Sequence, residues 1–460
     1  MSESASSKTF PASVIIIGAG VFGLSTALAI SKRHPSTDVT VIDRLTPPVE
    51  DGTSVDTTRC IRSDYTDPVY TQLATKAQKL IEDDPDLRPH YYKQGMTYVC
   101  DGEPSRFTDG WEAISQCANR DYDHSTIVDM PSREAVFQSI HGSKSQPRPV
   151  SELGGKSNWN KAYCNLGAAF IDARECIRAY YNRCLTVPNI NFRCGTPVDR
   201  LRLVNGHAKG VVMEDVNTIT ADQVIVAAGA WSNKLVDLGR RINAIGHEVV
   251  WFKVTPEEEA RWKKMSITTN ESTGLNIFPP YKGEVEISYP RTIVDNPTDV
   301  IPAEAEIAIR RDLREIMPPL AERPFDRTKI CWISTTPTAD FLIAPHSHVP
   351  GIHLASGGSA HAWKFLPILG DCVIDSMQGR LARELVDKWA FEKFSGGKDE
   401  NAPRMDGDPE ELREVTVGLA KGRYKAEMGS HGAYYGARKS RLRALGETPT
   451  SIKLALYEES

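Results

Sequence analysis

A chain of 460 residues with 55 Lys and Arg against 60 Asp and Glu carries a formal net charge of −5, so it lacks the basic excess that nucleic-acid binding demands. It is long enough for two or three domains with a large core. Nine scattered cysteines with no Cys-x-x-Cys pair argue against a metal centre and for a reduced, cytoplasmic compartment.

Ser13 to Ile17 is a short β-branched run that reads as a buried strand. Gly18-Ala19-Gly20-Val21-Phe22-Gly23 follows, then a helix from Leu24 to Arg33, then Val39 to Ile42 ending in Asp43. That order of strand, glycine turn, helix, strand and acid is the fingerprint of a dinucleotide fold. Gly18 permits the tight turn, Gly20 lets the backbone approach a pyrophosphate, and Gly23 lets the helix pack on the strand. The helix start offers N–H groups to phosphate, and Asp43 can accept both hydroxyls of a ribose. The apolar stretch 12–30 is therefore this unit and not a signal or membrane segment. With no other apolar run of spanning length, no membrane partner is expected. Tyr457 to Ser460 spells no peroxisomal address, and Asn270-Glu-Ser reads as a loop.

Further along, Val69 to Glu82 has helical apolar spacing, and residues 101–160 are polar and rich in Gly, Ser and Pro. Asp172, with Glu175 three residues on, opens a helix as a capping box. Residues 208–214 and 222–229 read as strands paired with each other, and 247–254 and 284–289 as further strands. A charged helix runs from Pro302 to Ile316. Lys329 to Ser334, Phe341 to Ala344 and Ile352 to Ser356 are strands, and Ile368 to Phe394 is one long closing helix. Nucleotide-type segments thus lie at the start, middle and end of the chain, with a cap built from the gaps. Beyond Ser395 the composition turns charged and Gly-rich.

Four patches together resemble the D-amino-acid oxidase superfamily of FAD enzymes, in its sarcosine oxidase and fructosyl-amino-acid oxidase (amadoriase) branch. They are Gly18 to Asp43, Asp56 to Tyr65, Ala221 to Trp231, and Lys329 to Trp332 continuing into Gly357 to Pro367. The resemblance implies an α/β fold with a Rossmann-like, glutathione-reductase-type FAD-binding domain and an α+β substrate or cap domain on an antiparallel sheet. The expected FAD-binding segments are 10–100, 155–245 and 335–395, the cap 101–154 and 246–334, and a C-terminal extension 396–460.

The same resemblance implies roles. FAD would be the cofactor, attached covalently through Cys331. Gly18, Gly20, Val21, Phe22, Gly23, Asp43, Arg44 and Val198 fall on its adenosine and pyrophosphate side. Thr58, Arg59, Gly229, Trp231, Gly358, Ser359, His361 and Lys364 fall near the ring or its chain. Arg62 and Lys364 match the pair that binds a substrate carboxylate, an arrangement suited to fixing an α-carbon over the flavin. Glu286 falls where the family carries a lysine that promotes reaction with oxygen. Either Lys282 or another cation substitutes, the register is off by a residue or two, or oxygen reactivity is low. A histidine and a tyrosine of the sarcosine site appear as Pro290 and Ile333, which implies a bulkier substrate. Trp251, Phe252, Trp332 and Trp363 offer an aromatic lining.

The expected activity is FAD-dependent oxidation of a secondary amine, an N-substituted α-amino acid such as an N-methyl, fructosyl or saccharopine-like one. Hydride would pass to the flavin, the imine would hydrolyse, and O2 would become H2O2. Three alternatives stand beside it: an oxidase whose imine is captured in carbon–carbon bond formation, a flavin dehydrogenase with a non-oxygen acceptor, and a non-enzymatic flavoprotein scaffold. A monomer is expected.

Overall fold

The computed structural model describes residues 9–102, 126–239, 241–293 and 301–394. The expected extension 396–460, and 103–125 of the polar stretch, lie outside the described residues.

Ser13–Ile17 lies inside a six-stranded sheet in the order Leu342–Pro345, Ile352–Ser356, Gln223–Val226, Ser13–Ile17, Asp38–Asp43, Ile190–Cys194. All pairs are parallel except the Leu342–Pro345 edge. The first strand feeds two cores. Val14 and Ile16 pack with apolar residues of the helices Val21–Arg33, Ala173–Leu185 and Leu366–Met377. Ile15 and Ile17 pack with a three-stranded antiparallel sheet, Val198–Val204, His207–Met213 and Thr218–Thr220. Burial on both faces is why the strand reads as a continuous β-branched run. The helices Val21–Arg33 and Leu366–Met377 meet at Gly370, where a Cβ would stand 2.1 Å from Ser25 O. Ser25 Oγ fastens this crossing, donating to Leu366 O at 2.6 Å and accepting from Gly370 N at 2.8 Å.

Three local expectations need correction. Residues 208–214 do not pair with 222–229. His207–Met213 pairs with Val198–Val204 and Thr218–Thr220, whereas Gln223–Val226 lies between Ser13–Ile17 and Ile352–Ser356. The consecutive apolar residues Val224, Ile225 and Val226 are all buried, which only an inner strand of a two-sided sheet provides. The long closing helix is two, Leu366–Met377 and Arg383–Trp389. They part at Gly379, whose φ of +68° lies outside the helical region. Asp172 caps Ala173–Leu185 by accepting from Glu175 N at 3.1 Å. The Glu175 carboxylate turns instead to Arg178 at 3.3 Å, so only half of the box forms.

The second sheet has eight strands in the order Arg327–Thr335, Asn243–Lys253, Glu284–Ile293, Asn276–Ile277, Ile267–Asn270, Met96–Cys100, Lys161–Asn165, Ile127–Met130. Its pairs are antiparallel apart from Ile267–Asn270 on Met96–Cys100. Alternation along the first three strands sorts their side chains. Val250, Phe252, Val285, Ile287, Ile330 and Trp332 pack into a core with apolar residues of the helix Ala303–Ile316. Val249, Trp251, Cys331 and Ile333 form a separate cluster. Register places Glu286 beside Trp251, and Lys329 beside Val249, on that second face. No helix among the described residues is long and apolar enough to cross a membrane.

Candidate active site

The site starts at the glycine turn. Gly18 has φ +108°, and a Cβ at Gly23 would lie 1.8 Å from Gly18 O, so strand, turn and helix fit only with bare backbone. Asp43 reaches back to the turn, accepting from Ala19 N at 2.8 Å and from Leu45 N at 3.2 Å. Burial nonetheless pushes its carboxyl upward. Arg44 pairs with Asp51 at 2.5 Å and lies 4.9 Å over the Trp231 ring. Trp231 closes a short 3₁₀ turn that begins at Gly229, soon after Gln223–Val226. Val198 starts its strand opposite Met213. Phe22 meets Phe341 edge-on, and a Cβ at Gly358 would lie 3.5 Å from the Phe22 ring. Ser359, at φ +47°, accepts from Thr336 N at 3.2 Å.

A loop from Thr53 to Arg59 runs from this turn to the face of the eight-stranded sheet, and both sides hold it. Ser54 Oγ accepts from Val21 N at 3.0 Å, and Ser54 O accepts from Trp363 Nε1 at 2.9 Å. Thr53 Oγ1 donates to Trp332 O, and Lys329 Nζ donates to Val55 O at 2.9 Å. Nothing local in the sequence distinguishes Ser54 or Thr53 from other loop residues, so their roles appear only in three dimensions.

Where the loop meets the sheet, four charged groups are gathered. Arg59 Nη1 is 2.7 Å from Asp56 Oδ2 and 4.0 Å from Glu286 Oε1, and Nη2 is 3.5 Å from Cys331 Sγ. Lys329 Nζ stands 3.7 Å from Asp56 Oδ1. Glu286 Oε2 accepts from Thr58 N at 3.1 Å and from Trp251 Nε1 at 3.3 Å. Burial and the nearby Asp56 push the Glu286 carboxyl up to about 8, against Arg59, Thr58 N–H and Lys329. Burial would raise Asp56 too, but Arg59 and Lys329 outweigh it and hold its carboxyl below the ordinary range. Burial raises the Cys331 thiol, with Arg59 opposing.

Arg62 and Lys364 converge on Tyr65. The Arg62 guanidinium lies 4.8 Å over the Tyr65 ring and donates to Asp64 O. Lys364 Nζ donates to the Tyr65 hydroxyl at 2.9 Å and to His361 O at 3.0 Å. Tyr65 Oη is 3.0 Å from His361 Nδ1, and His361 Nε2 is 2.8 Å from Ala339 O. A carbonyl can only accept, so Nε2 carries a proton, and Tyr65 Oη, which accepts from Lys364, has its own O–H to donate to an unprotonated Nδ1. The contacts thus form one line, from ammonium to phenol to imidazole to backbone. Behind Arg62 the buried Asp64 accepts from Tyr98 Oη at 3.1 Å and from Asn165 Nδ2 at 2.9 Å. Asp64 lies in the Asp56 to Tyr65 string without a role of its own there, and Tyr98 and Asn165 had no motif to announce them.

Two expectations fail here. Lys282 does not stand in near Glu286, because its Nζ is 2.7 Å from Asp172 Oδ2 and its side chain is 54% exposed. The cations beside Glu286 are Arg59 and Lys329. The four aromatics do not form one lining either. Trp251 faces Glu286, Phe252 and Trp332 belong to the core behind the sheet, and Trp363 is tied to Ser54 O. Adjacent strand residues point to opposite faces, so Trp251 and Phe252 cannot share a pocket wall.

These residues fit a flavin dinucleotide. The Thr58 hydroxyl is buried without a hydrogen-bond partner among the described residues. A Cβ at Gly20 would stand 2.6 Å from Ser54 Oγ, leaving backbone alone at the start of the helix. Beyond it lie a buried thiol and clustered cations. Comparisons agree. The family described as FAD dependent oxidoreductase matches residues 13–376. L-saccharopine oxidase of Schizosaccharomyces pombe is 27% identical over 417 residues, covering 82% of this chain and 92% of that protein. Monomeric sarcosine oxidase of an Arthrobacter species is 27% identical over 381 residues, covering 78% and 90%. In fold, the chain superposes on fructosamine oxidase (Amadoriase II) of Aspergillus fumigatus with a TM-score of 0.78 at 24% identity, over 88% of this chain and 96% of that one. The chain, with its glycine turn at the end of the first strand, belongs to the FAD dependent oxidoreductase family.

Proposed function

We propose that this protein is an FAD-dependent oxidase of secondary amines of the N-substituted α-amino acid class, forming an imine and H2O2. The observation that carries the reading is the convergence of Arg62 and Lys364 around Tyr65, in the same segment as Arg59, whose guanidinium lies 3.5 Å from Cys331 Sγ. A guanidinium fork and an ammonium suit one carboxylate. Bound FAD supplies the hydride acceptor that no side chain offers. Arg62 and Lys364 hold the acid group, and Tyr65 with His361 holds the ammonium in place. Gly18, Gly20, Gly23 and Asp43 serve the pyrophosphate and ribose, and Cys331 tethers the flavin covalently. The names of the relatives support the substrate class, since saccharopine, sarcosine and fructosamines are all secondary amines. A bulkier substrate than sarcosine follows from Ile333 at a position the resemblance assigns to tyrosine.

The cytoplasm suits the chain, because all eight cysteines among the described residues are free thiols. A monomer is the working form, as the name of the Arthrobacter relative suggests. The experiment is an anaerobic screen of N-methyl, fructosyl and saccharopine-like amino acids read by flavin bleaching. Admission of air should restore the colour with stoichiometric peroxide. A yellow protein that no N-substituted amino acid bleaches refutes the reading.

A further inference from the structure

The carboxyl of Glu286 is 2% exposed and is hydrogen-bonded at one oxygen by Thr58 N–H and Trp251 Nε1–H. Its charged neighbours come from each element packed on it. Asp56 and Arg59 belong to the loop and short strand, and Lys329 and Cys331 to the adjoining part of the sheet. Arg327 lies 3.8 Å over the Trp251 ring and is itself paired with Glu284 at 2.9 Å. With Glu286 ionised, Asp56 and Glu286 cancel Arg59 and Lys329. With Glu286 neutral, one net positive charge remains.

We propose that Glu286 sets the charge of this wall by gaining or losing one proton, and that this charge governs how readily reduced FAD passes electrons to oxygen. The proposal rests on FAD binding beside Arg59 and Cys331. In the overall step two electrons and one proton leave the anionic reduced flavin, one more proton is taken up from the medium, and O2 becomes H2O2. The first electron to reach O2 makes an anion, which a positive wall stabilises and a neutral wall does not. Glu286 acts here through Arg59 and Lys329, as a positioning and charge-setting residue. The range near pH 8, where burial places its carboxyl, makes the change accessible under working conditions.

The test uses holoenzyme reduced photochemically without any amino acid, so it stands even if the substrate class is wrong. Two quantities are followed from pH 6 to 10: the flavin midpoint potential, and the rate of reoxidation by air-saturated buffer. In the wild type both should show an inflection, with reoxidation falling on the order of tenfold toward high pH, the scale of one unit charge near the reacting atoms. Glu286→Gln, neutral at every pH, should abolish the inflection and keep the acid-limb values throughout. Trp251→Phe removes a donor to the carboxylate and should move the inflection to higher pH without changing its size. This variant keeps the proposal open to refutation if the Gln variant folds poorly. An inflection unchanged by both substitutions, or a wild type with none, overturns it.

Discussion

Lys364 and Glu286 are both buried ionisable groups, yet their surroundings treat them differently. Lys364 is oriented by neutral oxygens, those of Tyr65 and His361. Lys364→Met should therefore lower kcat/KM for the amino acid on the order of a hundredfold, the worth of a charge-assisted hydrogen bond. The flavin-to-protein absorbance ratio should stay unchanged. Glu286 sits among opposing charges, and its carboxyl is raised. The folded state then binds a proton that the unfolded chain releases, so stability drawn from this group is complete below the ordinary value of about 4.5 and drains away as pH rises through about 8. Glu286→Gln should raise the melting temperature relative to wild type above pH 8, and the gap should close near pH 5. A constant gap across that range would show that the carboxyl is not raised. At this scale the sequence was informative about identity. Arg59, Arg62, Cys331 and Lys364 stand in recognisable strings. It was silent about the pairing of Asp56 with Lys329, of Asp64 with Tyr98 and Asn165, and of Tyr65 with Lys364, because each of these contacts joins segments far apart in the chain.

At the level of elements, the crossing of Val21–Arg33 with Leu366–Met377 depends on Gly370 lying against Ser25. Gly370→Ala should cost ~1–3 kcal/mol by overpacking, seen as a lower urea midpoint with the flavin spectrum of the folded fraction intact. The first strand, turn and helix were legible because their signals are local: a β-branched run, glycines at fixed offsets, and an acid at the end of the next strand. The pairing of His207–Met213 was not legible, since it and its neighbour Gln223–Val226 belong to different sheets. Which sheet accepts each depends on whether one face or both will be buried. The break at Gly379 was hidden because apolar spacing resumes beyond it at Leu385 and Trp389.

Across the whole molecule the six-stranded and eight-stranded sheets are linked through hydrogen bonds from the segments between them. The loop Thr53 to Arg59 bonds to the helix start on one side and to the sheet on the other. Asp172, capping a helix of the nucleotide-binding half, also accepts from Tyr281 Oη at 3.0 Å and from Lys282 on the hairpin of the eight-stranded sheet. A flavin bound along that loop would stabilise the whole arrangement by linkage. Cys331→Ser should release the colour into the supernatant on acid precipitation, whereas wild-type protein should stay yellow. With the cofactor made exchangeable, FAD at a hundred times its Kd should add about 2.7 kcal/mol of stability over the stripped protein. Equal melting curves with and without FAD would count against the loop as its seat.

Composition, local periodicity and the glycine turn were enough to point to a dinucleotide-binding α/β chain, and the resemblance of a few short strings to a known family suggested residues for its site, because each such signal is carried by neighbours in the chain. Tertiary structure alone decided that Lys282 is spent on Asp172, that Lys329 and Asp56 accompany Arg59 and Glu286, and that Tyr65 and His361 orient Lys364. Those facts depend on strand register and loop path, where one residue of shift sends a side chain to the other face of a sheet.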